Sequence, residues 1–371
     1  MDIDFILILG TIPWLLFLAF LFYVNNISIP ERNKTKVIFE FVFLFMSLRY
    51  GIGYDYYSYK SIVEGVSEDY IIEGMDIIPK FIALTFGKIH YQLFFVLTSF
   101  VILYPIYWVI NRLSYIPSMS FTIYLLYPSF FLEGLSIIRN AMAYSLVLVM
   151  FYFLWKKRYL RSVLFYFAAV GCHTSSLMAI IIYPLYFYQT SRKFNFLIYI
   201  SSFVLSIVII PVILSLLGDI AFFSRVLYYI ENEDNFKGGG LMNILINLIG
   251  LFNLLYWYRI ESYSELNKKI LPLVNVGICL WNILIPVSPV FATRLSTYFL
   301  YCLLFIVPSY PVIFENINRF VNTRTINIVC GSLFVFIFVM QLYNYINSDI
   351  HMSNLPYQFF FLHTDAFVVN D

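Results

Sequence analysis

Apolar runs of about 20 residues recur along the chain, and short polar stretches separate them. Runs of this length cross a hydrocarbon core as helices, and the period-two alternation of an outer-membrane barrel is absent. The pattern predicts an all-α polytopic membrane protein with about 11–12 transmembrane helices. We place the spans at 4–24, 37–50, 91–110, 119–135, 137–155, 162–188 (broken midway), 195–217, 241–258, 270–286, 295–314 and 326–346.

The polar stretches are too short for a soluble domain, so residues 1–371 are predicted to form a single integral membrane domain. The longest interruptions are 51–90 and 218–240. Within the first of these, residues 71–90 are apolar but contain Pro79, Gly87 and several charges. This mixture predicts an interfacial helix that lies on the membrane surface rather than a span.

Composition supports this picture and excludes one class of partner. The chain is 61% hydrophobic and 12% charged, with a mean hydropathy of +0.82. A soluble domain has roughly 25% charged residues. The net charge of +2 is too small to indicate nucleic-acid binding. The four cysteines are scattered, which favours ordinary packing roles.

Basic residues predict the orientation, because loops rich in Lys and Arg stay in the cytoplasm. Most of the 23 Lys and Arg residues lie in one alternating set of loops. The opposite side carries both termini, 51–90, 218–240 and 287–294, and most of the acidic residues. The cytoplasmic set comprises Arg32, Lys34, Lys36, Arg112, Lys156, Lys157, Arg158, Arg161, Arg192, Lys193, Arg259, Lys268, Lys269, Arg319 and Arg324.

The region 162–188 has basic flanks at both ends, so the chain must enter from the cytoplasm and return to it. Each arm is too short for a full crossing. The turn GCHTSS at 171–176 is therefore predicted to lie below the outer surface, where non-helical backbone is tolerated inside protein or beside a wet cavity. His173 in this turn is either a hydrogen-bonded core residue or a general base.

Four arginines fall on or near the outer side: Arg49, Arg139, Arg225 and Arg294. Arg139, near the start of a span, either pairs with Glu133 or belongs to a functional site. Arg294 repeats this pattern at another span, and Arg225 lies in the outer loop. Guanidinium groups around an outward cavity suit a phosphate or pyrophosphate.

The stretch RYGIGYDYYSYK at 49–60 follows a predicted span. Arg49 either snorkels to the interface or points into a cavity beside Asp55. Gly51 and Gly53 permit a sharp turn. The tyrosines are predicted to form a platform for sugar rings, and they include Tyr54, Tyr56 and Tyr59.

No cofactor and no metal are expected. The four histidines lack ligand spacing, and the Asp2–Ile3–Asp4 triplet stands at the extreme terminus. A Walker A motif is absent, which argues against an ATP-driven pump. Arginines, tyrosines and a membrane setting together indicate glycosyl transfer from a polyprenyl-pyrophosphate sugar.

Several segments resemble the EpsG-like branch of Wzy-type polysaccharide polymerases. LRYGIGYDYYSY is similar to the family signature R-x-x-x-G-x-D-Y-x-x-Y. IIRNAMAYSL, CHTSSL, TRLSTYF and LPYQFFF resemble further family segments in the expected order, whereas the region around Arg225 is the least secure match.

The resemblance implies an enzyme of the bacterial inner membrane with a GT-C-like architecture and a periplasmic active site. It would act without metal, and its substrates would be undecaprenyl-pyrophosphate-linked oligosaccharides, both donor and acceptor. The product would be O-antigen (part of lipopolysaccharide), capsule or exopolysaccharide, with a chain-length regulator as a further partner. Arg139, Arg294 and Arg225 would hold the pyrophosphate, His173 or Asp55 would act as base, and Arg49 and the tyrosines would orient sugar. A flippase for lipid-linked sugars and an O-antigen ligase are the alternatives.

Overall fold

A computed structural model describes residues 3–66, 74–217, 240–317, 323–346, 355 and 357–361. Most of these residues are helical, which confirms the prediction of an all-α membrane protein. The rest are turns and loops, apart from two short strands, β1 (Arg49–Tyr50) and β2 (Gln358–Phe359). The helices are α1 Ile3–Asn26, α2 Glu31–Ser47, α3 Tyr56–Glu64, α4 Ile77–Ile82, α5 Tyr91–Leu113, α6 Pro117–Leu126, α7 Leu132–Ser136, α8 Ile138–Trp155, α9 Tyr159–Cys172, α10 Ile182–Phe187, α11 Arg192–Leu217, α12 Gly240–Leu255, α13 Trp257–Tyr263, α14 Glu265–Leu284, α15 Pro289–Leu300, α16 Leu303–Ile306, α17 Tyr310–Ile317 and α18 Thr323–Ile346.

The chain divides into two compact units. The first comprises Met1–Thr174 and Ile328–Asp371, and the second comprises Ser175–Asn327. The division falls immediately after the predicted break at His173. The prediction of one integral membrane domain stays a prediction.

Helix α8 is the centre of the first unit. Its sequence is apolar on all sides, and a helix of this kind is buried by its neighbours. It packs against α5 and α9, and α2 in turn packs against α5. This burial fixes the position of the N-terminal turn of α8, which carries Arg139.

The predicted span 119–135 is not one helix. Helix α6 ends at Leu126, and a second short helix, α7, begins at Leu132. Pro128 explains the difference, because proline disfavours helical backbone in the residue before it. Tyr127 accordingly has an extended conformation, with ψ 112°. The break places α7 directly before Arg139.

The break predicted within 162–188 is present. Helix α9 ends at Cys172, His173 is extended with φ −162° and ψ 130°, and a 3₁₀ helix follows at Thr174–Ile181. Helix α10 completes the segment. The polar turn therefore interrupts the apolar region where its sequence predicted.

The outer loop predicted at 51–90 contains more helix than expected. Helix α3 was not predicted, and α4 continues as a π-helical turn at Ala83–Gly87. Helix α4 packs against α5 and α9, whereas the π-helical turn packs against α3 and α5. The interfacial position of this helix stays a prediction.

Helix α14 is the centre of the second unit, where α11, α12, α13 and α15 contact it. Buried amides join these helices. The Asn275 side chain donates to Asn195 at 3.1 Å, and Asn282 donates to Asn247 at 3.0 Å. Amides in apolar helices need such partners, because an unpaired polar group away from water costs free energy.

Two helices in the described part of the chain are long and apolar enough to cross a membrane, Tyr91–Leu113 and Ile138–Trp155. The number rises to four if each of two bent pairs is one span. These pairs bend by 80° between α12 and α13 and by 47° after α15. The count of about 11–12 spans and the GT-C-like architecture stay predictions.

Candidate functional site

Arg49 lies in the core of the first unit and has no exposed surface. Its guanidinium donates to the backbone carbonyls of Met46 at 2.6 Å, Ile52 at 3.2 Å and Leu135 at 3.4 Å. It also lies 5.1 Å from the ring centre of Phe95. The structure thus differs from both readings of the sequence, since Arg49 neither snorkels nor faces a cavity. It joins the end of α2 to the segment before α8.

The loop after Arg49 requires glycine at position 53. Its φ is +101°, and a Cβ atom there would lie 2.2 Å from the carbonyl oxygen of Leu135. The neighbouring Tyr54 N–H donates to Ser136 Oγ at 3.0 Å. Only a residue without a side chain permits both this backbone conformation and this approach. The loop therefore packs directly on the last residues of α7.

The C-terminal tail covers the same segment. Strand β2 pairs antiparallel with β1, so that Arg49 is opposite Phe359. The Tyr357 hydroxyl donates to the carbonyl of Phe45, and its ring stacks on the Phe45 ring at 4.1 Å. The motif LPYQFFF thus has a structural role that its sequence did not reveal.

The three tyrosines predicted as a sugar platform have different environments. Tyr54 is 59% exposed, whereas Tyr56 and Tyr59 are buried. Tyr56 stacks on Phe95 with ring centres 4.4 Å apart. Helix α3 begins at Tyr56, and its periodicity turns positions 56 and 59 toward α5. This burial corrects the expectation of a shared platform, because among these three only Tyr54 presents a large surface.

Arg139 is the second residue of α8 and retains 33% side-chain exposure. Its guanidinium forms an ion pair with the Asp76 carboxylate at 3.1 Å and donates a hydrogen bond to Tyr59. Asp55 also interacts with it electrostatically. The sequence named Glu133 as the alternative partner, and the ion pair in the structure is with Asp76 instead. Arg139 therefore joins α3, α4 and α8, with part of its surface open.

Asp76 was missed by the sequence reading. It precedes the first residue of α4, and its side chain is 11% exposed. Burial raises the pKa of its carboxyl, and the opposing effects of Arg139 and of a hydrogen bond from the Thr174 N–H are smaller. The sequence offered one signal, because aspartate is preferred just before a helix and Pro79 is tolerated in the first helical turn.

His173 is half-buried at the end of α9, and its backbone N–H donates to the Ala169 carbonyl at 3.0 Å. The next residue, Thr174, donates its backbone N–H to Asp76. The break that holds His173 is thus tied to the carboxylate that pairs with Arg139. The structure brings Asp55, Asp76, Arg139 and the His173 turn into one connected region, which we call the Arg139 cluster together with Tyr59.

In the second unit, Arg294 is half-buried in the first half of α15. Thr297, Tyr298 and Tyr301 follow at helical spacing and share a face with it. The Tyr298 hydroxyl lies 2.8 Å from Ser175 Oγ. This face of α15 is polar and begins with a charged side chain. Arg225 lies outside the described residues.

One surface groove of about 350 Å³ lies at the turn between α13 and α14. Its lining includes Glu261, Glu265 and Lys268, and it contains none of the residues predicted to act. Within the described parts of the chain, no group of three or more His, Cys, Asp or Glu side chains is placed to hold a metal ion.

The sequence model of the EpsG family matches residues 35–359. The match extends from α2 to β2 and includes the whole Arg139 cluster, so the resemblance drawn from the motifs is confirmed. No curated protein and no solved structure matches the chain. The family match indicates a polymerase-type function in polysaccharide biosynthesis.

Proposed function

The chain belongs to the EpsG family, and we propose that it joins lipid-linked oligosaccharide repeats into a polysaccharide. The enzyme is a membrane glycosyltransferase, and its donor and acceptor are repeats on undecaprenyl pyrophosphate. It works at the periplasmic face of the bacterial inner membrane, where a chain-length regulator is a further partner. The proposed product is O-antigen, capsule or exopolysaccharide.

The observation that carries this proposal is the environment of Arg139. It begins a long apolar helix and is held by Asp76 and Tyr59, yet a third of its side chain stays exposed. An ionisable residue within a membrane span is a functional candidate by default. The exposed N–H groups of a guanidinium suit the oxygens of a pyrophosphate.

In the proposed reaction, the bond between the anomeric carbon of the donor sugar and the pyrophosphate oxygen breaks. The electron pair stays with the pyrophosphate, which leaves on its lipid carrier. Arg139 stabilises the negative charge that grows on this leaving group. The acceptor hydroxyl forms the new glycosidic bond to the same carbon and loses its proton to a base.

His173 and Asp55 are the two candidate bases. His173 lies in the turn that is tied to Asp76, and histidine exchanges protons near neutral pH. Asp55 precedes α3 and interacts electrostatically with Arg139. We propose His173 as the base, because Asp55 already interacts with the Arg139 guanidinium.

The remaining predicted residues have supporting roles in this proposal. Arg294 binds substrate phosphate or sugar hydroxyls through the polar face of α15, and Arg225 is proposed to assist from the loop 218–240. Tyr54 contacts sugar through its exposed ring. Arg49, Tyr56 and Tyr59 act from the core by holding the loop and Arg139 in place.

A strain that lacks this gene tests the proposed function. Loss of a polymerase leaves single repeats that never grow, and restoring the gene restores long chains on a polysaccharide gel. Loss of a flippase would leave no repeat on the lipid core, and loss of a ligase would leave polymer on the undecaprenyl carrier. Either of these last two patterns would contradict the proposal.

A further inference from the structure

We propose that Asp76 is a positioning residue for Arg139, and that it releases part of the guanidinium to the substrate's pyrophosphate when the substrate binds. This inference rests on the proposed function and deepens it.

The geometry around Asp76 supports a positioning role. Its carboxylate accepts from Arg139 Nη1 at 3.1 Å and also accepts the backbone N–H of Thr174. These two partners belong to α8 and to the turn beside His173. One carboxylate thereby fixes both the proposed phosphate-binding group and the segment that carries a candidate base.

The side chain of Asp76 is less exposed than that of Arg139. Asp76 is 11% exposed, whereas Arg139 is 33% exposed. A carboxylate oxygen and a phosphate oxygen use the same guanidinium N–H groups. An incoming pyrophosphate therefore meets Arg139 from its open side and competes with Asp76 for the donor that they share. Removing the carboxylate charge should weaken the orientation of Arg139 but should also remove its competitor.

We expect Asp76→Asn to change kcat and KM in different ways. We expect kcat to fall about tenfold, the loss typical of one charge-assisted hydrogen bond, while KM for the lipid-linked repeat stays equal or falls. Asp76→Glu, which keeps the charge, should restore part of kcat. It also provides a second test if Asp76→Asn does not fold. Glu40→Gln, which removes an exposed carboxylate paired with Lys36, is the matched control and should change neither constant.

A double-mutant cycle separates positioning from a merely structural role. If Asp76 acts through Arg139, adding Asp76→Asn to Arg139→Ala should cause no further loss of kcat. Additive losses would overturn the inference. So would variants whose activity per folded molecule equals the wild type, since these would show that Asp76 contributes only to folding.

A binding experiment with inorganic pyrophosphate tests the role of Asp76 without requiring polymer synthesis. Isothermal titration calorimetry of the purified full chain in detergent should show tighter binding by Asp76→Asn than by wild type, and no such gain in the Arg139→Ala background. This result would support the inference even if the wild type formed no polymer. Equal binding by wild type and Asp76→Asn, or no binding by either, would overturn it.

Discussion

Two arginines of the first unit show how the same side chain can have opposite roles. Arg49 has no exposed surface, and its donors are directed to backbone carbonyls and to Ser99. Arg139 is 33% exposed, and its partners are the side chains of Asp76 and Tyr59. A guanidinium surrounded by carbonyls braces the backbone, whereas one with a side-chain counterion and an open side can bind a ligand.

The two arginines are also physically connected. Arg49 donates to Leu135, and the loop that follows it packs on Leu135 and Ser136. These residues end α7, three positions before Arg139. The buried arginine therefore contributes to the site by fixing the start of the helix that carries the exposed one.

The largest expected effect is the loss of activity in Arg139→Lys. Lysine keeps the charge but lacks the planar fork that engages two phosphate oxygens. Polymer synthesis should fall on the order of 100-fold, as when one donor to a developing anion is removed. The rate of polymer formation per folded molecule measures this. Protein level should stay normal, and loss of the folded protein would contradict a functional role.

The opposite pattern is expected for Arg49→Met. Methionine keeps much of the volume but leaves the carbonyls of Met46, Ile52 and Leu135 without this donor. Stability should fall by about 3 kcal/mol, since each buried acceptor left unsatisfied costs about 1–3 kcal/mol. Thermal unfolding in detergent measures the loss. Normal stability with no polymer would instead assign Arg49 to substrate binding, as the sequence first indicated.

Gly53→Ala tests the contact between the two regions. Its new Cβ atom would meet the Leu135 carbonyl at 2.2 Å in a backbone conformation that alanine rarely adopts. We expect destabilisation of about 2 kcal/mol or more, from backbone strain and displacement of α7. Gly65→Ala is the matched control, because φ is +74° there but nothing lies within 4 Å of the new atom. Equal melting temperatures for the two variants would show that the packing on Leu135 is unimportant.

The smallest effects come from removing one hydroxyl at a time. Tyr59→Phe removes the hydrogen bond to Arg139, so kcat should fall several-fold with little change in stability. Tyr56→Phe should be close to neutral, since no partner for the buried Tyr56 hydroxyl is found among the described residues. Parallel kinetic assays of the two variants compare them directly. A larger loss of kcat for Tyr56→Phe would contradict the assigned roles.

Much of the helical architecture could be predicted because it follows from local chemistry. Apolar length predicted α5 and α8 closely, and basic flanks with a polar turn predicted the break at His173. The break at Tyr127 was missed, although Pro128 offered a signal. Helix α3 was also missed, because its polar and aromatic residues read as an outer loop.

The site was harder to predict because its contacts join distant parts of the chain. Arg139 was identified from a charge at the start of an apolar span. Its partner was sought six positions away at Glu133, whereas the ion pair with Asp76 is separated by 63 residues. The burial of Arg49 depends on Leu135 and on the returning tail strand, and neither contact leaves a local pattern in the sequence.

The most direct test of the central claim is a polymerisation assay with the purified full chain and its lipid-linked repeat, comparing wild type with Arg139→Lys and Arg49→Met. Each rate is expressed per folded molecule. We predict long chains from the wild type, single repeats from Arg139→Lys, and near-normal activity from whatever fraction of Arg49→Met folds. Long chains from Arg139→Lys at the wild-type rate would contradict the account.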